Sequence, residues 1–456
     1  MAFLVGGANS AVSGVYDVAN SCRFNDGDAA SMNADVSSTS QDTTGTISFW
    51  FKRGVLSTDQ RVFINYVDAN NYGAIKLQSD NKMEVVVIDG GAVTAKLVTT
   101  QVFRDCSSWY HCVVALDSSN GTAGNRMRLY INGTEVTAFD TDTNPDEDAT
   151  MEHFTDGNRR IGQMNSDQYF DGYLAEFVFI DGTQYAASDF GEFNSDSPTI
   201  WQPKDVSGLT FGGKGFYLDF EDSANLGNDK NGGTDFTETN LAATDQATDT
   251  PTNNFATANP LANLNGSPTY SQGNLEVTGD SSANHNWQST IGLSSGKWYW
   301  EMKSTASSPD SALIFYDQSI ISGNHPGEGF ATSARKKIIN DSTTGSAIGS
   351  TAQNDIHGMA LDLDNGKLWI HRNGTYIESG DPAGDANPFI ETSDGLESEG
   401  VIGGFVYNGT VQLNFGGCPA FAIASGNADD NGYGNFEYDV PAGFYALNTK
   451  NLAEYG

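Results

Sequence analysis

The run EFVFID, from Glu176 to Asp181, places two carboxylates in one short apolar stretch. Paired carboxylates could split a glycosidic bond if they faced each other across a cleft about 5–10 Å wide. A spacing of five puts these two on opposite faces of a strand, which does not serve. DTDTNPDED, from Asp140 to Asp148, is the densest acidic run, and carboxylate loops of this kind can hold calcium. It fails the helix–loop–helix calcium spacing, because Pro145 stands where Gly is required and Met151 stands at position twelve; it reads as an exposed loop. DLDNG, from Asp362 to Gly366, has a similar spelling. Six His give no legible Ser/His/Asp set. Four Cys (Cys22, Cys106, Cys112 and Cys418) are too scattered for a zinc cluster or a disulfide scaffold. Cys106 and Cys112 either pair locally or remain reduced and partly buried.

Asn-Gly-Thr occurs three times, in RLYINGTEV (Arg128 to Val136), KLWIHRNGTYI (Lys367 to Ile377) and YNGTVQL (Tyr407 to Leu413). Each matches the glycan acceptor pattern. Each also suits a two-residue hairpin turn, because such turns need positive φ at both central positions and Asn-Gly adopts it at low cost. The N-terminal stretch lacks a basic region and a long apolar core, so it does not read as a signal peptide. The turn reading is therefore preferred at all three places.

The elements that must position such residues are strands. Apolar residues make up 38% and charged residues 18% of 456, with 51 Gly, and many short apolar runs end in Gly, Asn or Asp. GTISFWFKRG (Gly45 to Gly54) alternates like a half-buried strand. The length argues for more than one core. The expected fold class is all-β, with two antiparallel β-sandwich (jelly-roll) domains joined by an irregular connector. The boundaries read as an N-terminal arm over 1–21 that could serve as an anchor, a first sandwich over 22–200, a connector over 201–264, a second sandwich over 265–425 and a closing segment over 426–456. The connector is rich in Gly, Asn, Asp and Thr; it is either ordered by packing Phe211, Phe216, Tyr217 and Phe220 or a flexible tether. GFYALNTKNLA near the C-terminus echoes GFYLDF and TETNLA in the connector.

The net charge of −35 argues against nucleic acid as a partner and against anionic membranes. No apolar run approaches the length needed for membrane insertion as a helix. There is neither a coiled-coil heptad pattern nor a long β-helix repeat.

The first block resembles laminin-G-like or concanavalin-A-like sandwiches, close to the pentraxin arrangement. TGTISFWFKRG, SSWYHCVVALD, RMRLYINGTEV and RRIGQMNSDQYFDGYLAEFVFIDG carry the resemblance. It implies calcium as a cofactor, held at Asp59 and Gln60 from an early loop and Asn165 and Asp167 from a later one, although Met164 replaces the family's first acid. Glucanases of this fold carry Glu-x-Asp-x-x-Glu, which this chain lacks. The second block resembles SPRY domains through LSSGKWYWEMK, GMALDLDNGKLWIHRNGT and VQLNFGGCPAF. In that grammar DLDNG is a hairpin turn, Trp298 and Trp300 are core, and rim loops meet the partner. His285, Trp287, His325 and Phe389 are then the candidate ligand-binding residues, with loop stabilisation as the competing role for the two His. The opening FLVGGANS, the connector and the close PAGFYALNTKNLAEYG look like virion proteins of tailed bacteriophages. The resemblance implies a non-enzymatic virion component, either a tail-fibre receptor-binding protein or a head decoration. Its partners would be other phage virion proteins and a host surface glycan, with a homotrimer suggested by the class. It would assemble in the host cytoplasm and be released by lysis. A polysaccharide depolymerase and a purely structural link are the alternatives.

Overall fold

The computed structural model describes residues 16–38, 42–262, 265–305, 310–316, 327–339, 342–349 and 351–456. The proposed anchor at the start of the N-terminal arm lies outside them. The chain divides into two compact units between Thr252 and Asn253. Each is built from sheets that are antiparallel apart from one short parallel pair in the second, and the one α-helix of the described residues is α1 (Thr449–Tyr455).

The first unit contains β1 (Ser21–Phe24), β2 (Ser31–Val36), β3 (Thr44–Arg53), β4 (Gln60–Asp68), β5 (Asn71–Leu77), β6 (Lys82–Asp89) and β7 (Ala92–Val102). It continues with β8 (Tyr110–Asp117), β9 (Met127–Ile131), β10 (Thr134–Glu135), β11 (Phe139–Thr143), β12 (Gly157–Ile161) and β13 (Gly172–Asp181). Short strands complete it: β14 (Gly191–Phe193), β15 (Trp201–Pro203), β16 (Phe216–Leu218), β17 (Thr237–Thr239) and β18 (Gln246–Ala247). One sheet runs β10-β9-β8-β3-β13-β1-β18, with β16 added to β13; the other runs β11-β7-β6-β5-β4-β12-β2-β17. The alternation of TISFWF decides the faces. Ile47, Phe49 and Phe51 enter the core between the sheets, where Phe49 stacks on Phe177 at 5.1 Å. Each such ring stabilises by roughly 1.5–3 kcal/mol on burial. The acidic run after Val136 is not wholly loop, because Asp140 and Asp142 lie on the edge strand β11. Asp140 pairs with Lys82 at 2.7 Å, and a charged edge discourages further strand addition.

The second unit contains β19 (Thr269–Ser271), β20 (Glu276–Gly279), β21 (His285–Leu293), β22 (Lys297–Ser304), β23 (Ser311–Tyr316), β24 (Glu328–Ala331), β25 (Lys336–Ile339) and β26 (Ser342–Thr344). It continues with β27 (Ile356–Asp362), β28 (Lys367–Arg372), β29 (Thr375–Tyr376), β30 (Ile390–Glu391), β31 (Gly400–Val406), β32 (Gly409–Asn414) and β33 (Tyr445–Ala446). Its larger sheet runs β19-β20-β32-β22-β27-β28-β29 and its smaller one β21-β31-β23-β24-β25-β26. The meander β22-β27-β28-β29 repeats the order of β3-β8-β9-β10. In both units the last long strand lies between the meander and the first strand.

Two Asn-Gly-Thr phrases are that shared meander's hairpin. Asn132 and Gly133 have φ of 47° and 74°, and Asn373 and Gly374 have 48° and 77°. Asn132 donates its N–H to His111 O at 2.9 Å while its Oδ1 accepts from His111 N at 2.8 Å. Asn373 makes the same pair with Ile356, at 2.8 and 2.9 Å. The third phrase differs: only Asn408 has positive φ, and Tyr407–Asn408 carries the chain from β31 in one sheet to β32 in the other. DLDNG is a hairpin between β27 and β28, with Asp362 Oδ1 accepting from Asn365 N at 3.0 Å.

The expected connector is largely a part of the first unit. Phe211, Phe216, Tyr217 and Phe220 are buried, while β16, β17 and β18 pair with β13, β2 and β1. Of the two readings of this segment, the one in which these four aromatics order it holds, and its few apolar residues bury against sheets formed far earlier in the chain. Asp249 fixes its end. The carboxylate pairs with Lys52 at 2.8 Å, both side chains being at most 2% exposed, and accepts from Trp109 Nε1 at 3.1 Å. Cys106 and Cys112 are free and buried, and burial pushes the Cys106 thiol up to about 12. Removing one partner of a buried ion pair strands the other charge. Asp249→Ala is therefore expected to destabilise the first unit by about 3–5 kcal/mol, read as a lowered denaturant midpoint.

Candidate functional site

A Ser–His contact exists in the first unit, but its protons are arranged against catalysis. Trp201 Nε1 donates to His111 Nδ1 at 3.0 Å, so His111 Nε2 carries the hydrogen and donates to Ser48 Oγ at 2.8 Å. A general base needs a lone pair at that nitrogen. Burial also pushes the imidazole down to about 3. Glu176 sits at a β-bulge between Ala175 and Val178, with φ of 49°. Burial raises its carboxyl to about 8, although the Tyr217 hydroxyl (2.8 Å) and the Tyr16 hydroxyl (3.2 Å) donate to it. Asp181, five residues on, instead accepts from Lys214 N at 3.0 Å. Glu176 and Asp181 form no acid–base pair.

Each of the expected calcium residues has partners of its own within the protein. Asp59 accepts from Ser79 N at 2.7 Å and pairs with Lys76 at 3.4 Å. Gln60 is buried and donates to Val55 O and Thr58 Oγ1, each at 3.1 Å. Asp167 Oδ1 accepts from Gln168 N at 2.8 Å, and Asn165 Oδ1 accepts from Arg160 Nη1. The early and late loops do meet, but through Arg61, whose backbone N donates to Gln168 O at 2.8 Å and whose guanidinium donates to Gln168 Oε1 at 3.1 Å. Calcium takes six to eight oxygen ligands. Asp59, Asn165 and Asp167 already accept N–H donors and two guanidinium groups bring positive charge, whereas the buried Gln60 Oε1 accepts none, so the set offers few free oxygens for calcium. Among the described residues no three His, Cys, Asp or Glu side chains group for a metal.

What the same loop does form is a polar recess of about 370 Å³, lined by Asn33, Asn158, Arg160, Gln163, Asn165 and Ser166. It lies on the outer face of the β4-β12-β2 sheet. Strand alternation sends Arg159 and Ile161 inward and Asn158 and Arg160 outward. Asn165, Ser166 and Gln168 all have positive φ, between 48° and 63°, which turns the loop back against the sheet, where Met164 and Asp167 bridge. The Arg160 guanidinium lies 4.4 Å over the Tyr66 ring, donates to Asn158 Oδ1 at 2.5 Å and also donates to Asn165 Oδ1. Asn158 Nδ2 in turn donates to Asp35 at 2.7 Å. Tyr66, Tyr72, Ile88 and Met164 add a half-buried apolar patch on the same face. Of the sequence-derived residues only Asn165 lines the recess. Asn33, Asn158, Arg160, Gln163 and Ser166 were missed. Their signal was outward alternation in GNRRI, next to a loop of Asn, Ser and Gln.

In the second unit two expected contact residues are corrected. Trp287 is fully buried in β21 beside Gly404, where a Cβ would stand 3.0 Å from its ring. Phe389 is 1% exposed, packing on Phe330 at 5.9 Å beneath Lys337. Both stand in polar sequence, yet glycine and strand pairing make room for them inside. His285 is buried; it accepts from Ser267 N at 3.0 Å and meets Asp280 at 3.0 Å, so it pins its loop. His325 lies outside the described residues. Trp298 and Trp300 are core.

Residues 25–187 match a laminin G-type family model described as the concanavalin A-like lectin/glucanases superfamily, and all six residues of the recess fall within that span. Among solved structures, the chain is similar to a heptameric SAP-like pentraxin of Limulus polyphemus (13% identity, 43% of this chain, 100% of that chain, TM-score 0.30). It is similar to the SPRY domain of human HERC1 (13% identity, 36% of this chain, 99% of that chain, TM-score 0.29). It is also similar to domains LG4-5 of the mouse laminin α1 chain (9% identity, 89% of this chain, 91% of that chain, TM-score 0.32). No curated protein matches the chain. The first unit is a laminin G-type, concanavalin A-like sandwich within a chain that is all-β.

Two outcomes follow from the site chemistry. Adding calcium or a chelator is expected to leave the melting temperature within about 1 °C, since a ligand stabilises only the fold it binds. Glu176 titrates near 8 when folded and near 4.3 when unfolded, so the folded state holds the extra proton. Its contribution is complete below about pH 4.3 and is lost as pH rises through 8, with a slope of at most about 1.4 kcal/mol per pH unit. Denaturant midpoints taken between pH 6 and 8.5 should fall for the natural chain and fall less steeply for Glu176→Gln.

Proposed function

We propose that this protein is a non-enzymatic, carbohydrate-recognising component of a tailed-bacteriophage virion, and that it grips sugar with the outer face of the β4-β12-β2 sheet. The observation that carries the sugar reading is the recess itself. Sugars are recognised by planar amides and guanidinium groups that donate to hydroxyls, beside an apolar ring face, and Asn33, Asn158, Arg160, Asn165 and Tyr66 supply that set. The lectin/glucanase description of residues 25–187 supports the same ligand class. Glycanase chemistry has less support, because Glu176 is buried and held by the Tyr217 and Tyr16 hydroxyls rather than open to a cleft, and His111 cannot serve as a base. The virion assignment rests on the opening, connector and closing phrases of the sequence, with assembly in the host cytoplasm alongside other virion proteins.

Purified full-length protein should bind host-surface polysaccharide without releasing reducing ends. Asn33→Ala should weaken that binding by up to about tenfold with an unchanged melting temperature, since the Asn33 side chain makes no hydrogen bond among the described residues and one aligned hydrogen bond is worth about 0.5–1.5 kcal/mol. Reducing sugar released by the natural chain but not by Glu176→Gln would replace this reading with the depolymerase. Antibody labelling of purified particles tests the virion assignment, and unlabelled particles would overturn it.

A further inference from the structure

We infer that the recess selects a sugar bearing a single carboxylate, such as a uronate residue, and binds it without a metal ion. This deepens the carbohydrate reading and rests on it.

The inference comes from where the hydrogen-bonding capacity is already used. The Asn158, Gln163 and Asn165 side-chain oxygens each accept a donor from within the protein: Arg160 Nε, Ser166 N and Arg160 Nη1. The amide nitrogens of Gln163 and Asn165 make no hydrogen bond among the described residues, and a guanidinium has five N–H groups, of which Arg160 uses two. The recess therefore presents the free N–H groups of Arg160, Gln163 and Asn165, with the Asn33 amide oxygen and the Ser166 hydroxyl as its free acceptors. A sugar hydroxyl both donates and accepts, so it suits such a surface only in part. A carboxylate accepts at both oxygens and donates nothing, and it matches the guanidinium fork.

Charge points the same way. The chain carries 58 Asp and Glu against 23 Lys and Arg, yet no acid lines this recess. Asp35 is close enough to act on Arg160 but accepts from Asn158 Nδ2 at 2.7 Å, and Asp167 accepts from Gln168 N at 2.8 Å. Arg160 makes no ion pair among the described residues. An unpaired guanidinium in a chain of net charge −35 is a local positive site in a negative field. Screening over about 8 Å at physiological salt lets it act on one nearby anionic group, while a densely sulfated polyanion would meet repulsion from the rest of the surface.

The test uses full-length protein on an array in which each uronate-bearing oligosaccharide stands beside its carboxyl-reduced form and a multiply sulfated oligosaccharide. Binding is measured with calcium and with chelator. The expected result is at least tenfold preference for the uronate form, equal in both buffers, and little binding to the sulfated sugar. Arg160→Gln should abolish the preference, and Arg160→Lys should restore part of it; both are half-exposed substitutions whose melting temperatures are checked beside the natural chain. Equal binding of uronate and reduced forms, a preference for the sulfated sugar, or loss of binding in chelator would overturn this inference while leaving carbohydrate recognition intact. Binding to no glycan on the array would overturn both.

Discussion

A buried carboxylate surrounded by N–H donors closes each unit, and much else depends on it. Asp229 accepts from Tyr217 N and Asn231 N at 2.9 and 3.0 Å and from Gly233 N at 2.9 Å. Asp429 accepts from Asn431 N, Tyr433 N and Ala446 N, each at 2.9 Å, and from Asn451 Nδ2 at 2.7 Å. Both begin the same spelling, Asp-x-Asn-Gly-x-x-x-Phe, with Gly232 and Gly432 at φ of 84° and 80° and with Phe236 and Phe436 buried. An unpaired charge at such depth would be prohibitive, whereas three or four charge-assisted hydrogen bonds make it a rigid hub. In both, the carboxylate oxygens are turned to backbone amides. Each hub ties a Gly-rich segment of little intrinsic order to the sheet that it covers.

The covering is one-sided in the same sense in both units. In the first, Phe211, Tyr217, Val206 and Phe190 pack on Val113, Val178 and Ile180, on the outer face of the meander sheet. In the second, Phe436, Phe444 and Phe255 pack on Tyr299, Ala360 and Trp369, again on the meander sheet. Covering buries the groups most like a catalytic set, including Ser48, His111 and Glu176 in the first unit and Glu301 in the second. Glu301 accepts backbone N–H groups of Glu437 and Tyr438, so it holds the closing segment rather than facing solvent.

The sequence made legible what depends on local alternation and turn chemistry. TISFWF forms a strand with Phe49 and Phe51 inside, and Asn132-Gly133 and Asn373-Gly374 turn as Asn-Gly should. It misled where pairing partners decide. Trp287 and Phe389 stand among polar residues and gave the reading of exposed loops, yet Gly404 and Phe330 provide the space that buries them. The first unit's end was hidden for the same reason, since Asp249 and Lys52 lie 197 residues apart in sequence. At the candidate site, Asn165 was legible as a loop oxygen donor, but which atom already occupied that oxygen was not. Side-chain saturation is a property of the folded arrangement, and at Asn165 it leaves the amide nitrogen rather than the oxygen open to a ligand.

That change has a physical logic. A bound divalent cation and a guanidinium both present positive charge to an anionic or hydroxyl-rich ligand. The metal must be captured from solution and leaves when its ligands are protonated or the ion is scarce. Arg160 is covalently present, is charged at every physiological pH and is oriented by two amide oxygens and the Tyr66 ring. A site built this way gives up the coordination flexibility of calcium and gains a fixed fork. Because the segment from Phe190 to Tyr217 covers the outer face of the meander sheet in the first unit, the β4-β12-β2 sheet is the one whose outer face carries Arg160, and there the loop from Gln163 to Gln168 folds back to frame it.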